Sequence, residues 1–433
     1  MRVSDALFEP ANQAVCLLFI LLIPFAGAGL ALISTGLNRS HSAAHAILGC
    51  LMIGAVAMLA YGAIGVAVQG LLGEAGHSIA IGRSHFDWLG AGPVFLSGIR
   101  FDGRPASLAA IFGLFSASLA ALIPAASLGE RWRFISSFGS TALLGGLTYP
   151  LVAHWVWAGW LAQLGTQFGL AGFLDAGGAS CIQATGGLTA LALAWIIGPR
   201  RGRFTSEGIP TAMPGHNAVA VIFGCLLTFI GFVGLNAAGA VLFASRTPAQ
   251  AVLAAVNTAL SASSSALAAF ATTRIRFGRP DASLTANGWV AGLVAITAAC
   301  AYAKPAEAVL IGFFAGFLVI FIIELIELRM KIDDPTGAIA VHAGAGIWGL
   351  VAAGVFVRLP GVDSSAQFLA QLVGVATLLG LVLPLSYGLN FLLNLVLPQR
   401  VSTESERQGT DLFELGAGAY PEFVTHREER MRH

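Results

Sequence analysis

Two segments of this chain repeat one another, and both are built to lie inside a membrane. Asp175-Ala-Gly-Gly-Ala-Ser-Cys-Ile-Gln183-Ala-Thr-Gly-Gly recurs as Asp334-Pro-Thr-Gly-Ala-Ile-Ala-Val-His342-Ala-Gly-Ala-Gly. Each opens on Asp, carries Gly three residues later and a polar side chain eight residues in, then runs into Ala and a glycine-rich stripe. Each also begins a long apolar helix, so Gln183 and His342 take equivalent places deep in the bilayer. A polar or ionisable group at that depth is costly and marks a functional site.

The membrane setting follows from the charge content. Of 433 residues 56% are hydrophobic and 10% charged, against roughly 25% charged in soluble domains. A spanning helix needs about 20 apolar residues at 1.5 Å each. Eleven runs meet that need: 14–36, 44–70, 106–128, 135–157, 176–198, 217–242, 249–271, 285–303, 306–328, 336–357 and 366–396. The expected architecture is therefore an all-α polytopic membrane domain over 1–398, followed by a cytoplasmic tail over 399–433. The apolar run after Asn12 is too long for the h-region of a signal peptide and reads as the first span. The last run exceeds a perpendicular crossing, so it is expected to tilt, with a kink at Pro384.

Arginine and lysine set the orientation. With an odd number of spans, alternate loops hold Arg39, Arg131, Arg133, Arg200, Arg201, Arg203, Arg274, Arg276, Arg279, Arg329 and Lys331, and the tail adds Arg400, Arg407, Arg427, Arg430 and Arg432. The opposite side holds Arg2, Arg83, Arg100, Arg104, Arg246, Lys304 and Arg358. The positive-inside rule then puts the N-terminus outside and the C-terminus in the cytoplasm.

This orientation makes the two copies of the repeat antiparallel. Asp175 is expected to cap its helix near the outer surface and Asp334 near the inner one. Eight residues then carry Gln183 and His342 about 12 Å in from opposite faces of a slab roughly 30 Å thick. That is the pattern of an inverted repeat, five helices duplicated upside down with the substrate site at their junction. The eleventh, long helix is left to belt the bundle. The 53 glycines suit close backbone approach between helices, since lipid gives little hydrophobic drive for association.

Other chemistry is disfavoured. The five cysteines (Cys16, Cys50, Cys181, Cys225 and Cys300) lie in apolar runs without metal-ligand spacing, as small buried hydrophobes do. No metal or other cofactor is expected, and the net charge of +1 gives no sign of a nucleic-acid partner. Ser261-Ala-Ser-Ser-Ser265 lacks a nucleophile-elbow or oxyanion pattern, so it suits helix packing better than an intramembrane hydrolase. Asp333 and Asp334 are expected to serve as cap and charge partners of Arg329 and Lys331.

Several motifs together resemble the ammonium transporter (Amt/Mep/Rh) family over nearly the whole chain. They are Tyr149-Pro-Leu-Val-Ala-His-Trp-Val-Trp157 with Asp175-Ala-Gly-Gly, Gly234-Leu235-Asn236-Ala237, and Asp333-Asp334-Pro-Thr-Gly with Val341-His342-Ala-Gly-Ala-Gly-Ile-Trp-Gly349. Glu130-Arg131-Trp-Arg-Phe134 and Gly409-Thr-Asp411-Leu with Gly416-Ala-Gly-Ala-Tyr420 complete the set. The resemblance implies a homotrimer, one narrow hydrophobic pore per subunit, and passage of ammonium or ammonia. It makes Trp157 a vestibule residue, Phe115 one gate, His342 the second pore histidine and Asp175 the organiser of the site. Bacterial family members also bind PII-type regulatory proteins at the cytoplasmic face.

The chain departs from the family pattern at the site itself. Gln183 stands at the first pore histidine, Leu235 at the second gate, Gly239 at the vestibule serine and Phe232 at a usual tryptophan. Ile33-Ser34-Thr35-Gly36 replaces Phe-Tyr-Gly-Gly in the first helix. An amide can hydrogen-bond to His342 and to ammonia, but it cannot take up and release a proton near neutral pH. Two functions follow: ammonium transport with altered coupling, or a poorly conducting ammonium sensor that signals through a separate cytoplasmic partner.

Overall fold

The computed structural model describes residues 9–71, 76–81 and 84–421. Arg2, Arg83, Arg427, Arg430 and Arg432, which entered the charge argument, lie outside the described residues. Helices follow the apolar runs in order. They are α1 (Pro10–Leu37), α2 (Ser40–Gln69), α3 (Pro105–Leu128), α4 (134–157), α5 (Ala179–Ile197), α6 (Ala218–Leu242), α7 (Val252–Phe277), α8 (Ala282–Ile296), α9 (Pro305–Arg329), α10 (Ile339–Phe356) and α11 (Ser364–Val396). Among the described residues nine are long and apolar enough to cross a bilayer, namely all but α4 and α8. The 15-residue α8 is apolar but short. The serines of α4 are turned inward: Ser136 Oγ donates to the Pro398 carbonyl at 2.7 Å and Ser140 Oγ to Gln399 Oε1 at 3.2 Å.

Small residues set the helix crossings. The antiparallel α1 and α6 meet backbone to backbone: a Cβ on Gly29 would lie 2.5 Å from the Gly224 carbonyl, and one on Gly224 would lie 2.6 Å from the Gly29 carbonyl. Gly231 abuts Ala26 in the same way. The crossing of α5 and α10 carries the repeat symmetry. Gly187 lies against Ala343, and its counterpart Gly346 lies against Ala184. Positions 187 and 346, and 184 and 343, are equivalent in the two copies, so the crossing is related to itself by a two-fold exchange.

Two prolines are met by widened helical turns. A π turn over Leu144–Thr148 precedes Pro150, and another over Leu378–Val382 precedes Pro384. Proline lacks an N–H and collides with the carbonyl four residues back. A π turn shifts the bonding by one residue and absorbs both defects.

The loop between α2 and α3 carries a short hairpin, in which β1 (His77–Ile81) and β2 (Ser84–Leu89) pair antiparallel, and the domain remains all-α in class. The end of α4 clamps this hairpin, with Trp155 Nε1 donating to the Trp88 carbonyl at 2.8 Å and His154 Nε2 lying 3.2 Å from Asp87 Oδ1. The start of the tail folds back onto the helix ends. Asp411 accepts from the Ala44 and His45 amides at 3.1 and 2.7 Å, and His216 Nε2 meets the Tyr420 hydroxyl at 2.9 Å.

Candidate substrate pathway

The Asp that opens each repeat caps its helix. Asp175 accepts from the amides of Gly178, Ala179 and Ser180 at 2.7–2.8 Å and from Ser180 Oγ at 2.5 Å. Gly178 takes φ +92°, which glycine reaches without strain. The turn is strapped to the end of α8 by Ala176 N to Ala298 O and Gly177 N to Thr297 O, both 3.1 Å. Asp334 repeats the cap, accepting from the Ala338 and Ile339 amides at 3.2 and 2.8 Å.

Just inside each cap the helix is wound as a π turn, over Ala179–Ala184 and Ile339–Gly344. π turns gather at functional sites. These two carry Gln183 and His342, which the α5–α10 crossing brings together: His342 Nδ1 lies 2.7 Å from Gln183 Oε1. Both residues are buried. A carbonyl oxygen only accepts, so Nδ1 carries the proton in this arrangement and Nε2 keeps a lone pair. Gln183 Nε2 is buried without a partner in the described structure, which leaves its N–H donors for a molecule passing the pair.

Next to the Asp175 turn lies an aromatic group. Trp157 Nε1 donates to the Asp175 carbonyl at 2.8 Å, which fixes the indole plane. Phe243, at the C-terminal end of α6, stacks on Trp157 with centroids 3.8 Å apart and planes 2° from parallel. Phe112 meets both rings edge-on, at 5.9 and 5.2 Å. Trp157 and Phe243 border a cavity of about 680 Å³ that also takes in Gln163, Thr166, Leu242 and Ser245.

The remaining expected residues are placed less uniformly. Phe115 does not join this group; it lines an apolar crevice of about 630 Å³ between α1, α2 and α3. Phe112, one turn earlier on α3, is the aromatic beside Trp157. Leu235 and Phe232 are fully buried on α6. Gly239 packs on the Asp175 turn, where a Cβ would meet the Ala176 carbonyl and lie 2.8 Å from Gly177 Cα. A serine there would have to displace that turn. Sequence reasoning missed Phe112 and Phe243. For Phe243 the available signal was an aromatic residue eight positions beyond the non-aromatic gate position.

The opposite end of the bundle holds a lattice of ion pairs. Asp333 accepts from Arg200 Nε and Nη2 at 2.8 and 3.0 Å, with Arg131 Nη1 at 3.5 Å and Arg203 Nε at 3.4 Å. Glu130 joins Arg200 at 2.8 Å to Arg39 at 2.5 Å. The expectation that Asp333 pairs with Arg329 and Lys331 is thus corrected. Its partners come from the α3–α4 and α5–α6 loops, and Lys331 Nζ instead donates to the Gly208 carbonyl at 2.5 Å. Burial raises the Asp333 pKa, yet the Arg131 and Arg200 guanidiniums overcome it and hold the carboxyl at about 2. Glu130 is likewise lowered: burial works against it, and Arg200 and Arg39 prevail.

The serine cluster is structural. Ser261 Oγ donates to the Gly292 carbonyl at 2.7 Å and Ser265 Oγ to the Gly288 carbonyl at 2.5 Å, tying α7 to α8. All five cysteines are free and buried.

Apolar spans packed around a buried polar pair at an antiparallel crossing define a polytopic membrane protein. The sequence model of the Ammonium Transporter Family matches residues 14–420. Ammonium transporter Amt2 of Archaeoglobus fulgidus is 34% identical, over 96% of this chain and 89% of the relative. Amt2 of Haloferax mediterranei is 30% identical, over 96% and 91%. Among solved structures, a sensor Amt protein superposes with TM-score 0.84 at 26% identity, covering 93% of this chain and 98% of its own. Candida albicans Mep2 superposes with TM-score 0.77 at 22% identity, covering 97% and 92%. The chain belongs to the ammonium transporter family.

Proposed function

We propose that the protein carries ammonium or ammonia across the cell membrane. The path runs from the cavity beside Trp157, past the Asp175 turn and alongside the Gln183–His342 pair. The observation that carries this reading is the 2.7 Å contact of Gln183 with His342, with an unpartnered amide donor at the same place. Trp157 holds the cation in the vestibule by its π-face, worth about 0.5–2 kcal/mol. Phe112, rather than Phe115, supplies the gate aromatic on α3. Leu235 closes the constriction by bulk, and Asp175 with Phe232 supports the site. The unit is a homotrimer with its N-termini outside and its C-termini in the cytoplasm, the orientation favoured by the loop arginines. A PII-type regulatory protein at the cytoplasmic face fits the same reading.

Because the Gln183 amide does not relay protons near neutral pH, passage is slower or uncoupled from proton movement. Uptake of labelled methylammonium by cells lacking other ammonium carriers tests transport, and reconstituted currents of wild type against Gln183→His test the relay. Robust uptake is expected, with larger currents in the histidine variant; equal currents and selectivity would remove the relay argument.

Likeness to a sensor Amt protein, together with the same amide, favours one second reading, an ammonium sensor acting through a separate cytoplasmic partner. Absence of uptake by folded, trimeric protein would select it.

A further inference from the structure

Cation binding on Trp157 requires an open indole face, and one face is covered. A cation held by a ring sits over its face within about 6 Å of the centroid. On Trp157 that volume is filled by the Phe243 ring, 3.8 Å away and parallel. Two rings in direct contact leave no gap for an ion between them.

The three aromatic residues differ in their freedom to move. Trp157 is tethered through Nε1 to the Asp175 carbonyl, and Phe112 is fully buried. Phe243 is half-buried at the end of α6, where its amide bonds to the Gly239 carbonyl at 2.8 Å. Beside its ring lies the cavity of about 680 Å³, which gives a displaced phenyl group somewhere to go. Ser245, two residues on, takes φ +54°, so the regular helix has ended there.

We propose that Phe243 is the shutter of the entry site, covering the Trp157 face and swinging into the cavity when ammonium docks. This rests on the reading of Trp157 as the recruitment residue. Phe243 lies eight residues, or about 12 Å of helix, beyond Leu235. It thereby returns to the outer end of α6 the aromatic surface that Leu235 lacks. An ion taking that face competes with the stacked ring, so the shutter weakens apparent affinity.

The test compares wild type, Phe243→Ala, Trp157→Ala and the double variant, with Phe243→Leu taking the place of the alanine variant if that fails to fold. Half-saturation by ammonium chloride is measured in two ways: from liposome currents, and from the ammonium-dependent shift in unfolding midpoint of the purified protein. The binding arm decides even where no current flows. Removing the competing ring is expected to lower the half-saturating concentration about two- to tenfold, the worth of an aromatic pair, and to do nothing in the Trp157→Ala background. An unchanged or higher value in Phe243→Ala overturns the shutter while leaving Trp157 as the recruiting residue. An equal fall in the Trp157→Ala background also overturns it. No ammonium response in any protein, wild type included, overturns both.

Discussion

Gly187→Ala is the sharpest probe of the α5–α10 crossing. A Cβ at this position would lie 2.9 Å from both Cα and Cβ of Ala343 and closer still to its amide nitrogen, whereas ordinary contact begins at 3.4 Å. Backbone is the obstacle, so no side chain can swing aside and α10 must recoil by more than about 0.5 Å. That movement carries the 2.7 Å contact between His342 and Gln183 beyond about 3.2 Å, the outer edge of hydrogen bonding. Overpacking costs about 1–3 kcal/mol, and two buried polar groups left without each other about 1–3 kcal/mol more. The sum of about 2–6 kcal/mol is large against typical stabilities. The assay pairs the unfolding midpoint of purified protein with methylammonium uptake, using Gly388→Ala as control because nothing lies within 4 Å of a Cβ there. Gly187→Ala is expected to lower the midpoint and abolish uptake, and the control to keep both. If the two variants behave alike, the close crossing does not hold the pair together.

Three further outcomes are expected. Asp333→Asn takes the carboxylate from buried Arg131, leaves Arg200 with Glu130 alone and costs about 3–5 kcal/mol. Because the folded pKa of about 2 lies below the ordinary 3.8, the stabilisation is complete above about pH 4 and is lost as pH falls through 2. Unfolding midpoints of variant and wild type should therefore converge in acid, and a constant gap would refute the ion-pair account. Asp411→Ala removes the acceptor that caps the Ala44 and His45 amides, costs about 0.5–2 kcal/mol and should speed proteolysis of the tail; an unaltered cleavage rate counts against docking through this residue. Trp157→Ala should raise half-saturation for ammonium about 2- to 30-fold, the cation–π contribution converted to affinity, and wild-type values in a flux assay would exclude the residue from recruitment.

The helices were legible because a long apolar run in lipid has one way to satisfy its backbone. The meeting of Gln183 and His342 was legible because duplication fixes their depth. Which aromatic on α3 faces Trp157 was not. Phe112 and Phe115 lie three residues apart on a helix that is apolar all round, and periodicity cannot rank the faces of such a helix. Asp333 misled for a different reason: Arg329 and Lys331 are near in sequence, while Arg131 and Arg200 are brought to it only by packing of the loops. The Phe243 stack and the closure of Gly239 on the Asp175 turn are likewise tertiary facts. The hairpin left a trace in the alternation of His85, Phe86, Asp87 and Trp88, but a scan for twenty-residue runs passes over strands of five and six residues.

The exchange symmetry of the α5–α10 crossing bears on what lies along the path. Gly187 with Ala343 and Gly346 with Ala184 give the centre a backbone frame that exchange leaves alike, so the contrast a solute meets there is amide against imidazole. The rims differ far more: stacked rings and an open basin at one, locked guanidinium–carboxylate pairs at the other.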